Sequence, residues 1–261
     1  MEVIIARDYE DMSDIAAGIV VSAIKAKPDF VLGLATGSTP EGLYARMVKA
    51  NKEGKLDFSR VKTFNLDEYV GLAPTHEQSY RRFMDSHLFD HNNIRKENTQ
   101  VPDGLARKLG QFCEKYEEMI RKAGGVDLQV LGIGRDGHLG FNEPGSSLAS
   151  RTQLVALAPE TVEDNSRFFK SEEEVPRFAI TMGIRTILDA RMCLMLASGK
   201  SKAEAVKGSV EGPITAMLTA SSLQLHPNTV VIVDEAAASK LERIDYYRWA
   251  QDAKKQLTGR M

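Results

Sequence analysis

The feature that most constrains the fold of this chain is the alternation of short apolar runs with longer amphipathic segments. Most of the short runs are apolar on both faces, which is typical of strands covered by helices on both sides. Between them, apolar residues recur at helical spacing in residues 11–26 and 109–123. This order predicts an α/β fold with a mainly parallel sheet and helices on both faces. The predicted strands are residues 31–35, 61–66, 127–133, 178–181, 192–197 and 229–233.

One domain is the simplest organisation for these 261 residues. We find no internal repeat, low-complexity tract or linker of domain-boundary length, and α/β folds often reach this size as one unit. We therefore expect a single domain over residues 1–261. Residues 157–179 differ from the rest because charged side chains outnumber apolar ones there. This segment predicts either a solvated surface helix or a mobile lid over a site.

The charge balance excludes some classes of partner. Lysine and arginine total 34 against 36 acidic residues, a formal net charge of −2, so nothing favours nucleic acid or an anionic membrane. A small anionic ligand remains compatible with this net charge, because it needs only a local patch of positive charge. The apolar runs fall short of the roughly 20 residues that span a membrane, and the N-terminus lacks a secretory pattern, so we expect a cytoplasmic protein. Cys113 and Cys193 are distant in the sequence and lack CxxC spacing, so we expect them to be buried packing residues rather than part of a disulfide or a zinc site.

The first glycine-rich turn is TGSTP, residues 36–40, between a predicted strand and the helical segment 41–50. Thr39 is the predicted N-cap of this helix, and Pro40 is its predicted first residue. Unpaired N–H groups at a helix start favour a bound phosphate, although an ordinary tight turn has the same pattern. It is not a Walker loop, because no Gly-Lys-Ser/Thr follows.

The second turn, GIGRDG at residues 132–137, matches the GxGxxG pattern of dinucleotide-binding proteins. That fingerprint requires a helix to begin within the glycines. Here further glycines and Pro144 follow, which would break such a helix. The sequence therefore argues against a nicotinamide cofactor.

Three side chains of the same loop form the most informative cluster in the sequence. Asp136, His138 and Glu143 follow a predicted strand, at the edge where α/β sheets bind ligands. A histidine between carboxylates can transfer protons near neutral pH. Two alternatives stay open: the acids satisfy backbone groups of a tight loop, or the three side chains bind a divalent metal.

A pair of acids, Asp67 and Glu68, closes another predicted strand at this edge. Repulsion between neighbouring carboxylates can raise the pKa of one toward the range that a general base needs. The alternative is that Asp67 caps the next turn. The remaining histidines have no comparable setting and predict surface or packing roles.

Five segments, in chain order, resemble the glucosamine-6-phosphate deaminase family, also called glucosamine-6-phosphate isomerases. The resemblance runs through nearly the whole chain and implies a Rossmann-like α/β fold. It also implies conversion of glucosamine 6-phosphate to fructose 6-phosphate and ammonia, with no metal and no redox cofactor. The segments are TGSTP at 36–40, FNLDEYVGL at 64–72, GRDGHLGFNEP at 134–144, NSRFF at 165–169 and LQLHP at 223–227.

The resemblance also implies roles for individual residues. Asp67 would carry a proton from C2 to C1 of the sugar, and His138 would assist opening of the pyranose ring. Asp136 and Glu143 would orient and tune that histidine. Arg167 lies in the predicted lid, so substrate binding could draw that segment closed. The implied phosphate-binding residues are Thr36, Gly37, Ser38, Thr39, Arg167 and Lys202.

The sequence departs from part of this family at two positions. Some members are activated by N-acetylglucosamine 6-phosphate bound between subunits, where an arginine and a lysine contact its phosphate. Gln153 and Val155 stand at the matching positions here. Two lost cations should weaken that contact sharply, which predicts a form without this activation. Self-association into a homo-oligomer is left open.

Two other functions compete with deamination. A 6-phosphogluconolactonase would also combine a phosphate turn with an Asp/His loop, but the intact segments 67–69 and 136–138 favour the deaminase. A sugar-phosphate sensor domain is the alternative without catalysis. It has little support, because the chain shows no obvious helix-turn-helix extension and no basic face.

Overall fold

The computed structural model describes residues 1–258, so the last part of the predicted domain range lies outside the described residues. Its centre is a sheet of seven parallel strands in the order β1-β10-β9-β6-β2-β3-β5. A second, antiparallel sheet has the order β4-β8-β7. The strands are β1 Glu2–Ala6, β2 Val31–Leu34, β3 Lys62–Asn65, β4 Asp67–Tyr69, β5 Thr99–Gln100, β6 Leu128–Leu131, β7 Gln153–Ala156, β8 Phe178–Thr181, β9 Cys193–Ala197 and β10 Thr229–Asp234.

Helices cover both faces of the parallel sheet, which confirms the predicted fold class. Val31 of β2 belongs to an apolar cluster with residues of α4, α6 and α7, whereas Leu32 and Leu34 belong to a second cluster with α1, α2 and α3. Alternate residues of a strand face opposite sides, so one buried strand contributes to both clusters. The helices are α1 Tyr9–Ala26, α2 Glu41–Lys52, α3 Tyr80–His87, α4 Leu109–Lys122, α5 Pro159–Ser166, α6 Ile184–Leu188, α7 Ala203–Glu211, α8 Glu235–Ala238 and α9 Ile244–Thr258.

Each of the six predicted strands overlaps an observed strand, but one of them pairs outside the parallel sheet. Strand β8 pairs antiparallel with β4 and β7 in the small sheet rather than joining the parallel one. A short apolar run predicts that a strand forms, and its partner depends on residues far away in the chain. Strands β1, β4, β5 and β7 were not predicted. Cys113 and Cys193 are both buried and unbridged, as expected.

The predicted cap of α2 is wrong. The helix begins at Glu41, and Pro40 occupies the capping position in a helical conformation, with no side-chain cap. The Tyr9 hydroxyl of α1 instead accepts the N–H of Gly42 at 2.8 Å and donates to the carbonyl of Ser38 at 2.9 Å. A side chain from a neighbouring helix therefore makes the contact that a threonine cap would make.

The order of the parallel strands reverses between β2 and β6. Strands β2, β3 and β5 progress in one direction from this point, and β6, β9 and β10 progress in the other. Loops leaving the carboxyl ends of the two central strands diverge there, which opens a crevice where ligands bind in such sheets. Among residues 1–258, no helix has the length and apolar character needed to cross a lipid bilayer.

Candidate active site

A cavity of about 500 Å³ lies at this reversal point, at the carboxyl edge of the parallel sheet. Its walls come from the loops after β2, β3, β6 and β9, together with α5 and the residues after it. Eight of the ten predicted site residues line it. Asp136 and Glu143 do not, but both contact the ring of His138. The lining residues predicted from the sequence are Thr36, Gly37, Ser38, Thr39, Asp67, His138, Arg167 and Lys202.

Asp67 is the buried carboxylate of the cavity. It begins β4, opposite Thr181 of β8, and is 6% exposed. This position inside a strand is not that of a turn-capping residue. Burial and, to a smaller extent, the charge of Glu68 raise the pKa of Asp67, the charge of His138 opposes them, and the resulting pKa is about 7. Asp67 can therefore bind and release a proton near neutral pH.

Gly140 allows the loop after β6 to approach this carboxylate. Its φ is 57°, in the left-handed region. A Cβ at this position would lie 2.8 Å from Thr181 Oγ1 and 3.1 Å from Asp67 Oδ2. A side chain here would be strained in its backbone and would press on the base, so glycine maintains the close packing around Asp67.

Glu68 points away from Asp67, as successive residues of a strand do. Its carboxylate accepts the N–H groups of Tyr69, Tyr80 and Arg81 at 2.9–3.0 Å and the hydroxyl of Ser79 at 2.7 Å. Burial raises the pKa of Glu68, although these hydrogen bonds oppose the change. Glu68 therefore anchors the start of α3 to the strand that carries Asp67. This role could not be predicted from the sequence, because nothing local connects residue 68 with residues 79–81.

His138 lies between two carboxylates. Its Nδ1 is 2.8 Å from Asp136 Oδ1 and 3.3 Å from Glu143 Oε2. Burial alone would lower the pKa of His138, but the two carboxylates outweigh it and raise the pKa to about 9. At pH 7 the imidazole is therefore charged, and both ring nitrogens are donors. The same contacts lower the pKa values of Asp136 and Glu143 against the effect of burial.

These three side chains also meet the spatial requirement for a metal site. One ligand atom from each of Asp136, His138 and Glu143 lies within 4.8 Å of the others. A metal would have to displace the proton that the two carboxylates hold on His138. The arrangement therefore fits a charged histidine between acids better than a metal centre.

The other end of the cavity carries the turn after β2 and two cations. Gly37 has a φ of 91°, which lets the turn fold back toward the cavity. Lys202 immediately precedes α7, and Arg167 follows α5 with its guanidinium 4.7 Å from the ring centre of Phe168. This end can bind an anion.

Asp234 of β10 shapes the loop that leads to Lys202. Its carboxylate accepts the hydroxyl of Ser198 at 2.6 Å and the N–H of Gly199 at 3.0 Å. Gly199 adopts a φ of 90°. The role of Asp234 could not be predicted from the sequence, because Asp234 is far along the chain from residues 198 and 199.

Residues 157–179 pack on an aromatic cluster beside the cavity. Val162 of α5 and Val175 are buried in this cluster with Tyr69 and Phe141. Phe169 lies edge-on to Tyr69, with ring centres 6.0 Å apart. The segment thus has an apolar inner face, which its charged composition concealed. Its movement as a lid stays a prediction.

Burial of Asp67 should lower the stability of the fold in a pH-dependent way. Its pKa of about 7 exceeds the unfolded value of 3.8, so the folded state binds the proton more tightly. Stability from this group is complete below pH 4 and is lost as the pH rises through about 7. Asp67→Asn should therefore be more stable than the parent at pH 8, by on the order of 2–4 kcal/mol.

Urea unfolding at pH 4 and pH 8 measures this difference. The two proteins should converge at pH 4 and separate at pH 8. Glu77→Gln is the matched control, because Glu77 is an exposed carboxylate at the rim of the same cavity. An equal gain at both pH values would contradict the assigned pKa of Asp67.

The fold and the site together define a class of protein. Its members have an open α/β sheet with a crevice that can hold an anion at one end and has groups able to exchange protons at the other. Comparison with known proteins narrows this class. Residues 9–233 match the family described as glucosamine-6-phosphate isomerases/6-phosphogluconolactonase. The chain belongs to this family, which confirms the resemblance inferred from the sequence.

Individual relatives agree with this assignment. The chain is 54% identical over 259 residues to a glucosamine-6-phosphate deaminase of Hahella chejuensis, covering 99% of each chain. A solved monomeric glucosamine-6-phosphate deaminase superposes with a TM-score of 0.90 at 45% identity, covering 92% of this chain and all of that one. The 6-phosphogluconolactonase from Trypanosoma cruzi superposes with a TM-score of 0.73 at 20% identity, covering 92% of this chain and 97% of that one, which shows a shared fold only.

Proposed function

We propose that this chain converts glucosamine 6-phosphate to fructose 6-phosphate and ammonia. The observation that carries the proposal is the cavity that joins Asp67, with a pKa of about 7, to a charged His138 and to an anion-binding end. The similar proteins named glucosamine-6-phosphate deaminase support the same activity.

Substrate binding begins at the phosphate. The turn at residues 36–39, Arg167 and Lys202 hold the phosphate, which directs the amino sugar toward Asp67. Fixing the charged tail makes the later proton transfers effectively intramolecular. The charged His138 donates its proton to the ring oxygen as the bond from that oxygen to C1 breaks, and the C1 hydroxyl then gives its proton to His138, which yields the open-chain aldehyde and a charged histidine again.

The chemistry then moves to C1 and C2. The aldehyde acidifies the hydrogen on C2, so the carboxylate of Asp67 removes that proton while His138 donates a proton to O1, and an enolamine forms. Asp67 returns its proton to C1 and the nitrogen gives a proton back to His138, which leaves an imine at C2. Water adds to this imine and ammonia leaves, which gives the ketone of fructose 6-phosphate. Asp136 and Glu143 keep His138 oriented and favour its charged form between these transfers.

Lactone hydrolysis is the second candidate, since lactonases share the fold. A histidine that activates water must be neutral. With a pKa of about 9, His138 is mostly protonated at pH 7 and suits proton donation instead. This charge state favours the deaminase.

The deciding experiment incubates the purified protein with glucosamine 6-phosphate, with and without a chelator. We expect ammonia and fructose 6-phosphate in equal amounts, and no effect of the chelator. Hydrolysis of 6-phosphogluconolactone without ammonia release would contradict the proposal. Binding of glucosamine 6-phosphate without product would support a sensor instead.

The pH profile of kcat/KM, which reports the pKa values of the free enzyme, tests the state of Asp67. Activity should rise with pH through about 7 as Asp67 loses its proton. It should fall above about 9 as His138 loses its own. In Glu68→Gln the charge that raises the pKa of Asp67 is gone, so the acid limb should move to lower pH.

Ser79→Ala is the control for this shift. It removes one hydrogen bond to Glu68 but keeps the charge of the carboxylate. The variant should lose stability with its acid limb unmoved. An acid limb that stays in place in Glu68→Gln would contradict the electrostatic coupling of the two acids.

We expect hyperbolic kinetics without activation by N-acetylglucosamine 6-phosphate. Val155 of β7 packs against the aromatic cluster beside the cavity, and Gln153 is uncharged, so neither supplies a cation for a phosphate. Initial rates over a range of glucosamine 6-phosphate concentrations, with and without that compound, measure this. A sigmoidal curve that the compound makes hyperbolic would refute the expectation.

We also propose a single domain and a cytoplasmic location for this protein. A single domain is supported by the parallel sheet whose strands contribute to both apolar clusters. A cytoplasmic location suits a phosphorylated substrate, because a charged sugar does not cross a lipid bilayer unaided. Self-association stays open.

A further inference from the structure

One hydrogen bond connects residues 157–179 to the histidine cluster. Thr161 of α5 donates its hydroxyl to Glu143 Oε1 at 2.6 Å. The other oxygen of Glu143, Oε2, lies 3.3 Å from His138 Nδ1. The Glu143 side chain is 15% exposed, so little water competes for this carboxylate. Thr161 therefore fixes one oxygen of Glu143 while the other faces the imidazole.

The same segment carries the guanidinium assigned to the substrate phosphate. Arg167 and Thr161 both line the cavity, one just after α5 and the other within its first turn. Val162, next to Thr161, is buried in the aromatic cluster with Phe141, which belongs to the loop between His138 and Glu143. A shift of α5 would thus move both the phosphate contact and the hydroxyl that holds Glu143.

We propose that Thr161 is a positioning residue that couples the seating of the substrate phosphate on Arg167 to the orientation of His138 through Glu143. The coupling to substrate rests on the function proposed above. A phosphate bound by Arg167 holds α5 against the loop, and Thr161 then keeps Glu143 turned toward His138. Thr161 itself transfers no proton and contacts no reacting atom.

Kinetics of substitutions at residue 161 give the first test. Thr161→Val keeps the shape of the side chain and removes the hydroxyl, and should lower kcat roughly tenfold, the loss expected for a hydrogen bond to a charged group. Thr161→Ser restores the hydroxyl and should recover most of that loss. Ser166→Ala on the same helix is the control, because Ser166 donates within its own helix, to the carbonyl of Glu163. Equal losses in the Val and Ser variants would overturn the proposal.

A double-mutant cycle tests the coupling to phosphate. In the parent, Arg167→Gln should raise KM and also lower kcat, since α5 is no longer held by the substrate. In the Thr161→Val background, Arg167→Gln should raise KM with no further fall in kcat. If the two substitutions lowered kcat independently, so that the double variant showed the product of the two single losses, the proposed coupling would be overturned.

Titration of His138 by NMR, without any substrate, separates this proposal from the assigned activity. The charged groups facing His138 are Asp136 and Glu143 of its own loop and Asp67 of β4. In Thr161→Val the freed carboxylate of Glu143 can turn to solvent, so the pKa of His138 should fall. An unchanged or higher pKa would overturn the positioning role. If the parent made no fructose 6-phosphate, the proposed function would fail while this titration still decided the role of Thr161.

Discussion

Asp67→Asn is expected to abolish measurable turnover while the affinity for substrate stays within a few fold of the parent. The amide cannot accept the proton from C2, and a lost general base lowers kcat by on the order of 10⁴-fold. The end of the cavity that we assign to the substrate phosphate is untouched, so we expect binding to be retained. The loss should therefore fall on kcat, as it does when a transition-state interaction is removed.

The measurement pairs steady-state rates with direct binding of glucosamine 6-phosphate by calorimetry. Glu77→Gln controls for the loss of a negative charge at the cavity and should keep near-parental rates. The thermal stability of Asp67→Asn at pH 8 shows independently that the variant is folded. Normal turnover by a folded Asp67→Asn protein would remove the basis of the proposed mechanism.

Lys202→Gln should have the second largest effect, an increase in KM of roughly 10- to 100-fold. A hydrogen bond between charged groups contributes on the order of 1.5–3 kcal/mol, and Lys202 is one of the two cations that we assign to the phosphate. The effect on kcat should be smaller, because we assign to this end of the cavity the part of the substrate that does not react.

Lys200→Gln is the matched control for this variant. Lys200 belongs to the same short 3₁₀ turn, Lys200–Lys202, but is exposed and does not line the cavity. Its substitution should leave KM nearly unchanged. Equal effects of the two substitutions would show that general positive charge, rather than a specific phosphate contact, explains the binding.

The fold could be predicted to a large extent because its signals are local. Apolar runs such as residues 229–233 are long enough to specify buried strands, and the spacing in residues 11–26 specifies a helix. The N-terminal cap of α2 was predicted wrongly, because Tyr9 of a neighbouring helix contacts Gly42 in place of the expected threonine cap. The pairing of β8 with β4 could not be predicted from the sequence either, because strand pairing depends on contacts between distant residues.

The candidate site divides in the same way. Asp136, His138 and Glu143 were recognised together because they share one loop, and Asp67 because it follows a strand. The contacts of Glu68 with α3, of Asp234 with Gly199 and of Thr161 with Glu143 join segments that are separated in the chain. No spacing rule reports such contacts.

The sequence alone determined the class of fold, the edge of the sheet at which the polar side chains collect, and the family. Hydrophobic periodicity and the order of glycines and acids along the chain carry that information without reference to distance. Only the tertiary structure decided the protonation states, the packing of residues 157–179 and the residues that support the site. Burial and the charge of neighbouring groups set the pKa values of Asp67 and His138, and both exist only when remote segments are folded together.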